Sequence, residues 1–119
     1  MLTLKVDTRE NNVLIVNLAG EFRIEVINEV EAVWNECVRE KPRVVAFNCT
    51  AMEYIDSSSI GSLVKFVNFA KNKKMEFIIY GLNRDVYQIF QTARLQNFFG
   101  IISKSEFDMK YPVRKNTQA

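Results

Sequence analysis

An acid followed by three hydroxyls occupies positions 56–59, Asp56-Ser57-Ser58-Ser59, and Ile60 and Gly61 come next. These residue types in this order allow two kinds of chemistry. A serine or aspartate at a helix start accepts hydrogen bonds from first-turn N–H groups that have no partner within the helix, worth about 1 kcal/mol. The same N–H groups, at the positive end of the helix dipole, also receive an anion. A phosphoryl group on a serine there leaves the fold intact. Cap and phosphate acceptor are both open on residue type alone. Nucleophilic catalysis is not supported in the same way. The chain has no histidine, which removes Ser-His-Asp and Cys-His machinery, histidine-ligated zinc or haem, and any phosphohistidine relay. Cys37 and Cys49 fit no paired zinc-ligand spacing and read as two reduced thiols. No catalytic residue, metal or cofactor is expected. The chain reads as a binding protein.

The elements that must position this segment follow from pattern. The 119 residues, 48% hydrophobic and 25% charged, are enough for one domain with its own core. A net charge of +2 is too small for a general nucleic-acid binder. No apolar run approaches the ~18 residues of a membrane span. The first residues show no basic segment followed by an apolar core, so no secretory leader is expected and the location expected is cytoplasmic.

Leu2, Leu4 and Val6 alternate with polar residues as in a half-buried strand. Asn11-Asn12 is a turn signal, so Val13–Leu18 pairs back as a hairpin that Gly20 ends. From Ile24 to Glu40 the period is helical, with Val26, Val30, Val33 and Cys37 on one stripe and Trp34 beside it. The opposite face carries Glu25, Glu29, Glu36 and Glu40, the ordinary composition of a solvated face. Val44–Phe47 reads as a short buried strand, followed by a polar turn into Asp56–Ser59. A helix then runs to about Asn72, with Ile60, Leu63, Val64 and Val67 inward and the Lys71, Lys73, Lys74 cluster at its negative end. On that helix Phe66 lies toward the flank and Phe69 nearly opposite the core, so both are candidates for an exposed docking face or for cover by a neighbouring helix. Phe77–Tyr80 is a buried strand, Arg84–Leu95 a helix, Phe98–Ile102 a last short strand and Ser105–Met109 a final turn. The order β-β-α-β-α-β-α-β predicts a single α/β domain with a mixed sheet over residues 1–109, and residues 110–119 read as a flexible basic tail.

With this order around it, Asp56-Ser57-Ser58-Ser59-Ile60-Gly61 resembles the STAS domain family in its small stand-alone bacterial form. That family opens its second helix with Asp-Ser-Ser/Thr-Gly-Leu-Gly. Leu18-Ala-Gly-Glu-Phe-Arg23 resembles the family's Leu-x-Gly-Glu-Leu-Asp, and Val86–Phe90 followed by Leu95 resembles its third helix and exit. The resemblance implies an anti-sigma factor antagonist. Such a protein binds an anti-sigma factor that is also a serine kinase, is released when the kinase uses ATP to phosphorylate it, and is reset by a phosphatase. By position the phosphorylated residue is Ser57, and Asp56, Ser58, Ser59, Gly61 and Arg23 belong to the partner-binding loop. Weak self-association is also allowed for. Three positions depart from the family: Ser59 stands at a Gly, Arg23 at an Asp, and Arg94 at the Gly after the third helix. The departures at Ser59 and Arg23 suit the alternative, a non-switching STAS scaffold or assembly subunit of stressosome-like or transporter-associated kind.

Overall fold

The computed structural model describes residues 1–112. Its elements run β1 (Leu2–Arg9), β2 (Val13–Phe22), a 3-10 turn (Ile24–Val26), α1 (Ile27–Arg39), β3 (Val44–Ile55), α2 (Ser57–Asn72), β4 (Glu76–Tyr80), α3 (Arg84–Thr92), β5 (Gly100–Ile102) and α4 (Lys104–Lys110). The expected order is observed, with a short helix, α4, in place of a final turn. The five strands lie side by side in chain order; β1 is antiparallel to β2 and every later pair is parallel. Asn11 and Asn12 turn the hairpin with φ of 66° and 62°, a conformation that asparagine tolerates better than other side chains.

Each parallel step is joined by one helix, and α1, α2 and α3 cover the same face of the sheet. Val16, Val45 and Phe47 are buried under them, with Leu14 packed at the margin, as the strand alternation predicts. The centre of this layer is aromatic. Trp34 stacks on Phe66 at 4.4 Å and meets Phe77 edge-on at 5.2 Å, and Phe77 meets Phe47 at 4.9 Å. Phe66 is therefore a core residue and not part of a docking face.

The other face has a smaller core, in which Phe107 and Tyr111 close over Val13, Ile15, Val44, Ala46, Ile78 and Tyr80. Phe107 stacks on Tyr80 at 4.0 Å, while Arg9 reaches Asp108 at 3.7 Å and donates to the Tyr111 carbonyl. These contacts correct the domain boundary read from polarity. Lys110 closes α4 and Tyr111 is buried, so the ordered domain runs past residue 109. The remainder of the expected tail, 113–119, lies outside the described residues.

Three further boundaries differ from the sequence reading. β3 does not stop at Phe47 but continues to Ile55, and β2 continues through Gly20 to Phe22. The paired register slips between Asn17 and Ala19 and again between Gly20 and Glu21, each time with one extra residue on β3. Bulges of this kind space the buried side chains Cys49, Met52 and Ile55 by three, which hides the period of two. Gly20 is required there: it has φ +115°, and a Cβ would collide with the Met1 carbonyl oxygen. At the third helix, α3 ends at Thr92 and not Leu95. Arg94 adopts φ 59°, its N–H donates to Gln91 and that of Leu95 to Phe90, both at 2.9 Å. This is the left-handed exit usually made by glycine, here made by an arginine.

Candidate functional site

Beyond Asn48, β3 no longer pairs with β4, while its pairing with β2 continues to Phe22 and Ile55. The two strands thus project as a ribbon past the rest of the sheet, and Asp56 sits at its tip, held by its own N–H on the Phe22 carbonyl at 3.2 Å. The chain is extended at Asp56 (φ −103°, ψ 174°) and helical from Ser57 on. Asp56 is accordingly the N-cap of α2. One carboxylate oxygen accepts from the Ser59 N–H at 2.9 Å, and the other accepts from the Ile24 N–H, also at 2.9 Å. A single side chain therefore fixes the start of α2 and the start of the 3-10 turn that follows β2. Burial pushes the Asp56 carboxyl up, but the hydrogen bonds from Ser59 and Ile24 and the nearby charge of Arg23 outweigh it and hold the group below its ordinary value.

With Asp56 as the cap, the three serines separate by role. Ser57 and Ser58 occupy the first two helical positions and are exposed. Ser59 is fully buried, and its hydroxyl has no hydrogen-bond partner among the described residues. Ser59 lacks the positive φ for which glycine would be needed, so the departure at this position points into the protein and leaves the approach to Ser57 clear. Gly61 is exposed, and a Cβ built on it meets nothing within 4 Å. Its contribution is an open, flat patch one turn beyond Ser57. Ser57 and Ile60 of α2 face Asp85, Gln88 and Ile89 of α3 across an open groove of about 450 Å³ with an apolar floor.

Arg23 lies beside this site but does not pair with Asp56. Its Nε donates to Glu21 at 2.8 Å, and its guanidinium lies 4.3 Å from the Tyr54 ring centre. Hydrogen bonding and charge lower the Glu21 carboxyl and raise Arg23 in return. Asp56 is met instead by the backbone N–H of the next residue, Ile24. That amide is a functional group the pattern of residue types could not find, because any residue supplies an N–H. The Ile24 side chain is 57% exposed at the same tip. An isoleucine off the apolar stripe of the first helix was the only hint of it in the sequence.

Phe69, the other aromatic candidate, is 36% exposed and touches the edge of Trp34 at 6.0 Å. It lies twelve residues along α2 from Ser57, about 18 Å away, and so belongs to the opposite end of the molecule. Lys71 and Lys73 lie over Phe98 and Phe69 at 5.0 and 5.9 Å, in keeping with a structural role. Both cysteines are free and buried, and burial pushes the Cys49 thiol up to about 12, the reverse of a reactive thiolate. Among the described residues no cluster could hold a metal ion, and no helix is long and apolar enough to cross a membrane.

The architecture recurs in solved structures. A proposed anti-sigma factor antagonist of Thermotoga maritima superposes with a TM-score of 0.77 at 21% identity, over 97% of this chain and 96% of that one. The phosphorylated form of the Bacillus cell-fate determinant SpoIIAA gives 0.69 at 13% identity, over 91% and 98%. A sulfate transporter family protein of Wolinella succinogenes gives 0.70 at 15% identity, over 80% of each chain. At these identities the likeness is one of fold. No curated protein sequence matches the chain. The STAS domain family model matches residues 4–108, from the first strand to the last helix, and includes the Asp56-capped helix start. On that match and this fold, the chain belongs to the STAS domain family.

Proposed function

We propose that this STAS domain is an anti-sigma factor antagonist that works in the cytoplasm by binding, without catalytic residues of its own. Its partner in this reading is an anti-sigma factor that is also a serine kinase. Phosphate on Ser57 ends the complex and a phosphatase restores it. The observation that carries the reading is the geometry of Ser57: an exposed hydroxyl at the first position of a firmly capped helix, on the rim of an apolar groove. The Asp56 clamp holds that position still, and the open surface at Gly61 lets a partner's backbone come close.

The energetics suit a switch. A phosphate adds about −1.5 to −2 charges at pH 7. At the N-terminus of α2 that charge is tolerated in the free protein. Under a partner packed over the loop it is desolvated with no free counter-charge, Arg23 being already paired with Glu21, at a cost of about 2–5 kcal/mol. That is about a 30-fold loss of affinity or more. The test is incubation with the cognate kinase and ATP, followed by mapping of the phosphate by mass spectrometry. Phosphate on Ser57 is expected, with Ser57→Ala binding constitutively and Ser57→Asp binding weakly. Phosphate on Ser58 or Ser59 alone would reject the assignment.

A second reading is favoured by one observation. Arg23, where the family carries an acid, is held by Glu21 and Tyr54 and so gives the tip a fixed cation instead of a negative charge. That suits a non-switching scaffold or assembly subunit. A kinase that binds the chain but leaves it unphosphorylated, together with stable large assemblies on sizing, selects this second reading.

A further inference from the structure

The two edges of the sheet are built differently. β5 offers three residues, whereas β1 offers eight in unbroken register with β2, with no proline and no bulge. The Glu21 N–H donates to the Met1 carbonyl at 3.2 Å, which makes these two a hydrogen-bonded pair. By the alternation of an antiparallel ladder, Thr3, Lys5, Asp7 and Arg9 then share their backbone bonds with β2. Leu2, Leu4, Val6 and Thr8 turn their N–H and C=O groups outward. Such an edge is a template for another strand. Its one well-exposed apolar side chain is Val6, 43% exposed, which lines an open groove of about 440 Å³ with Leu14, Ala32 and Val33, while Glu36 and Glu40 of α1 also line it.

The charges on β1 identify the strand that fits. A two-fold axis normal to the sheet keeps both helix layers on one side, so the choice of central residue alone sets the register. Centring on Lys5 or on Asp7 places like charges opposite each other. Centring on Val6 places Val6 against Val6, Leu4 against Thr8, and Lys5 against Asp7 twice over. In this register Val6, Leu4 and Thr8 form the hydrogen-bonded pairs. Lys5 and Asp7 form the closer, non-bonded pairs, where opposite charges interact best. Asp7 is already oriented by the Asn17 side chain, which donates to it at 2.9 Å. Lys5 makes no ion pair among the described residues. A lone edge lysine normally discourages pairing; here the aspartate two residues on neutralises it in one register only.

We infer that β1 is a self-docking edge: two copies join antiparallel through β1 about an axis at Val6, merging their sheets and facing their Val6-lined grooves across the axis. Sedimentation equilibrium of the unmodified chain from about 10 µM to 1 mM is expected to show a monomer–dimer equilibrium. Lys5→Asp opposes acid to acid, and Asp7→Lys opposes base to base; each alone is expected to weaken the dimer about tenfold. A one-to-one mixture of those two variants restores the alternation of charge and is expected to regain the original affinity. Val6→Pro removes an N–H that faces away from β2, and is expected to abolish the dimer while circular dichroism and the melting temperature stay close to those of the unmodified chain. The inference is overturned by a chain that remains monomeric at the top concentration, or by a dimer unaffected by the charge variants. It is equally overturned by a mixture that associates no more tightly than either variant alone.

Discussion

The two ends of α2 are made from the same helix and do opposite things. At its start, Asp56 satisfies the Ser59 and Ile24 amides while Ser57 and Ser58 are left in solvent. At its far end, Phe66 is enclosed by Trp34, Phe47 and Phe77, and the last turn closes on Lys74 with φ 56°. The first end holds its backbone through hydrogen bonds and keeps its first two side chains, Ser57 and Ser58, free. The second surrenders its side chains to packing. A binding loop on a stable domain needs both: the packed end supplies the free energy that lets the other remain exposed and still have one shape. Substitutions at the two ends should therefore fall into different measurements.

The largest effect belongs to the packed end. Phe47→Ala removes a fully buried ring under α2 and is expected to cost about 3–5 kcal/mol in urea melts; a loss under about 1 kcal/mol would contradict a central β3. At the exposed end, Asp56→Ala loses the cap and should cost about 1 kcal/mol. It should also free the 3-10 turn, seen as faster amide exchange at Ile24 and Ser59 together. Exchange that changes at Ser59 alone would show that the two loops are not coupled through this carboxylate. The same group gives a pH test. Its folded pKa is lowered relative to the unfolded chain, so its stabilisation is full above the ordinary carboxylate range and is lost as pH falls through the lowered value. Asp56→Asn keeps a capping oxygen and should flatten that part of the acid limb in a melting series.

A change at the helix exits is of similar size to loss of the cap and of opposite sign. Lys74 and Arg94 both take the left-handed conformation, and replacing either by glycine relieves a backbone cost of about 1 kcal/mol. Lys74→Gly and Arg94→Gly should each raise the melting temperature by a few degrees; a fall in both would mean that the side chains contribute more than the strain they bear. The smallest effect on stability is at Arg23. Arg23→Asp leaves a solvent-exposed pair with Glu21 unmade, so the melting temperature should not move. Phosphorylation rate or partner affinity should. A destabilised Arg23→Asp chain with unchanged partner binding would place Arg23 in the scaffold and outside the site.

The spacing of residue types carried much of this without coordinates. A capped helix start at Asp56–Ser59 was legible from an acid and serines before an apolar helical stripe; which of them caps was decided by the structure. The helix-covered core was legible in the alternation of Leu14, Val16, Val45 and Phe47. What misled was local. Two bulges spread Cys49, Met52 and Ile55 over a spacing of three, so the second half of the longest strand looked like a turn. Tyr111 sits in a polar, basic stretch, yet it packs against Phe107 and donates to Glu76 at 3.1 Å. Composition averaged over such a stretch cannot show one anchored ring.

Sequence by itself determined the elements, their order and the helix start, because periodicity, capping chemistry and breakers act over a few neighbouring residues. The partners of each group were decided only by tertiary structure. Asp56 takes the amide of Ile24, 32 residues away, and Arg23 turns from Asp56 to Glu21 and Tyr54. Ser59 faces inward while Ser57 faces out, and among the described residues one sheet edge is left long and open. These outcomes depend on how two strands slip past each other and on which backbone groups are left over. No local pattern encodes that, because backbone N–H and C=O groups are the same at nearly every residue and only the assembled sheet determines which of them remain unpaired.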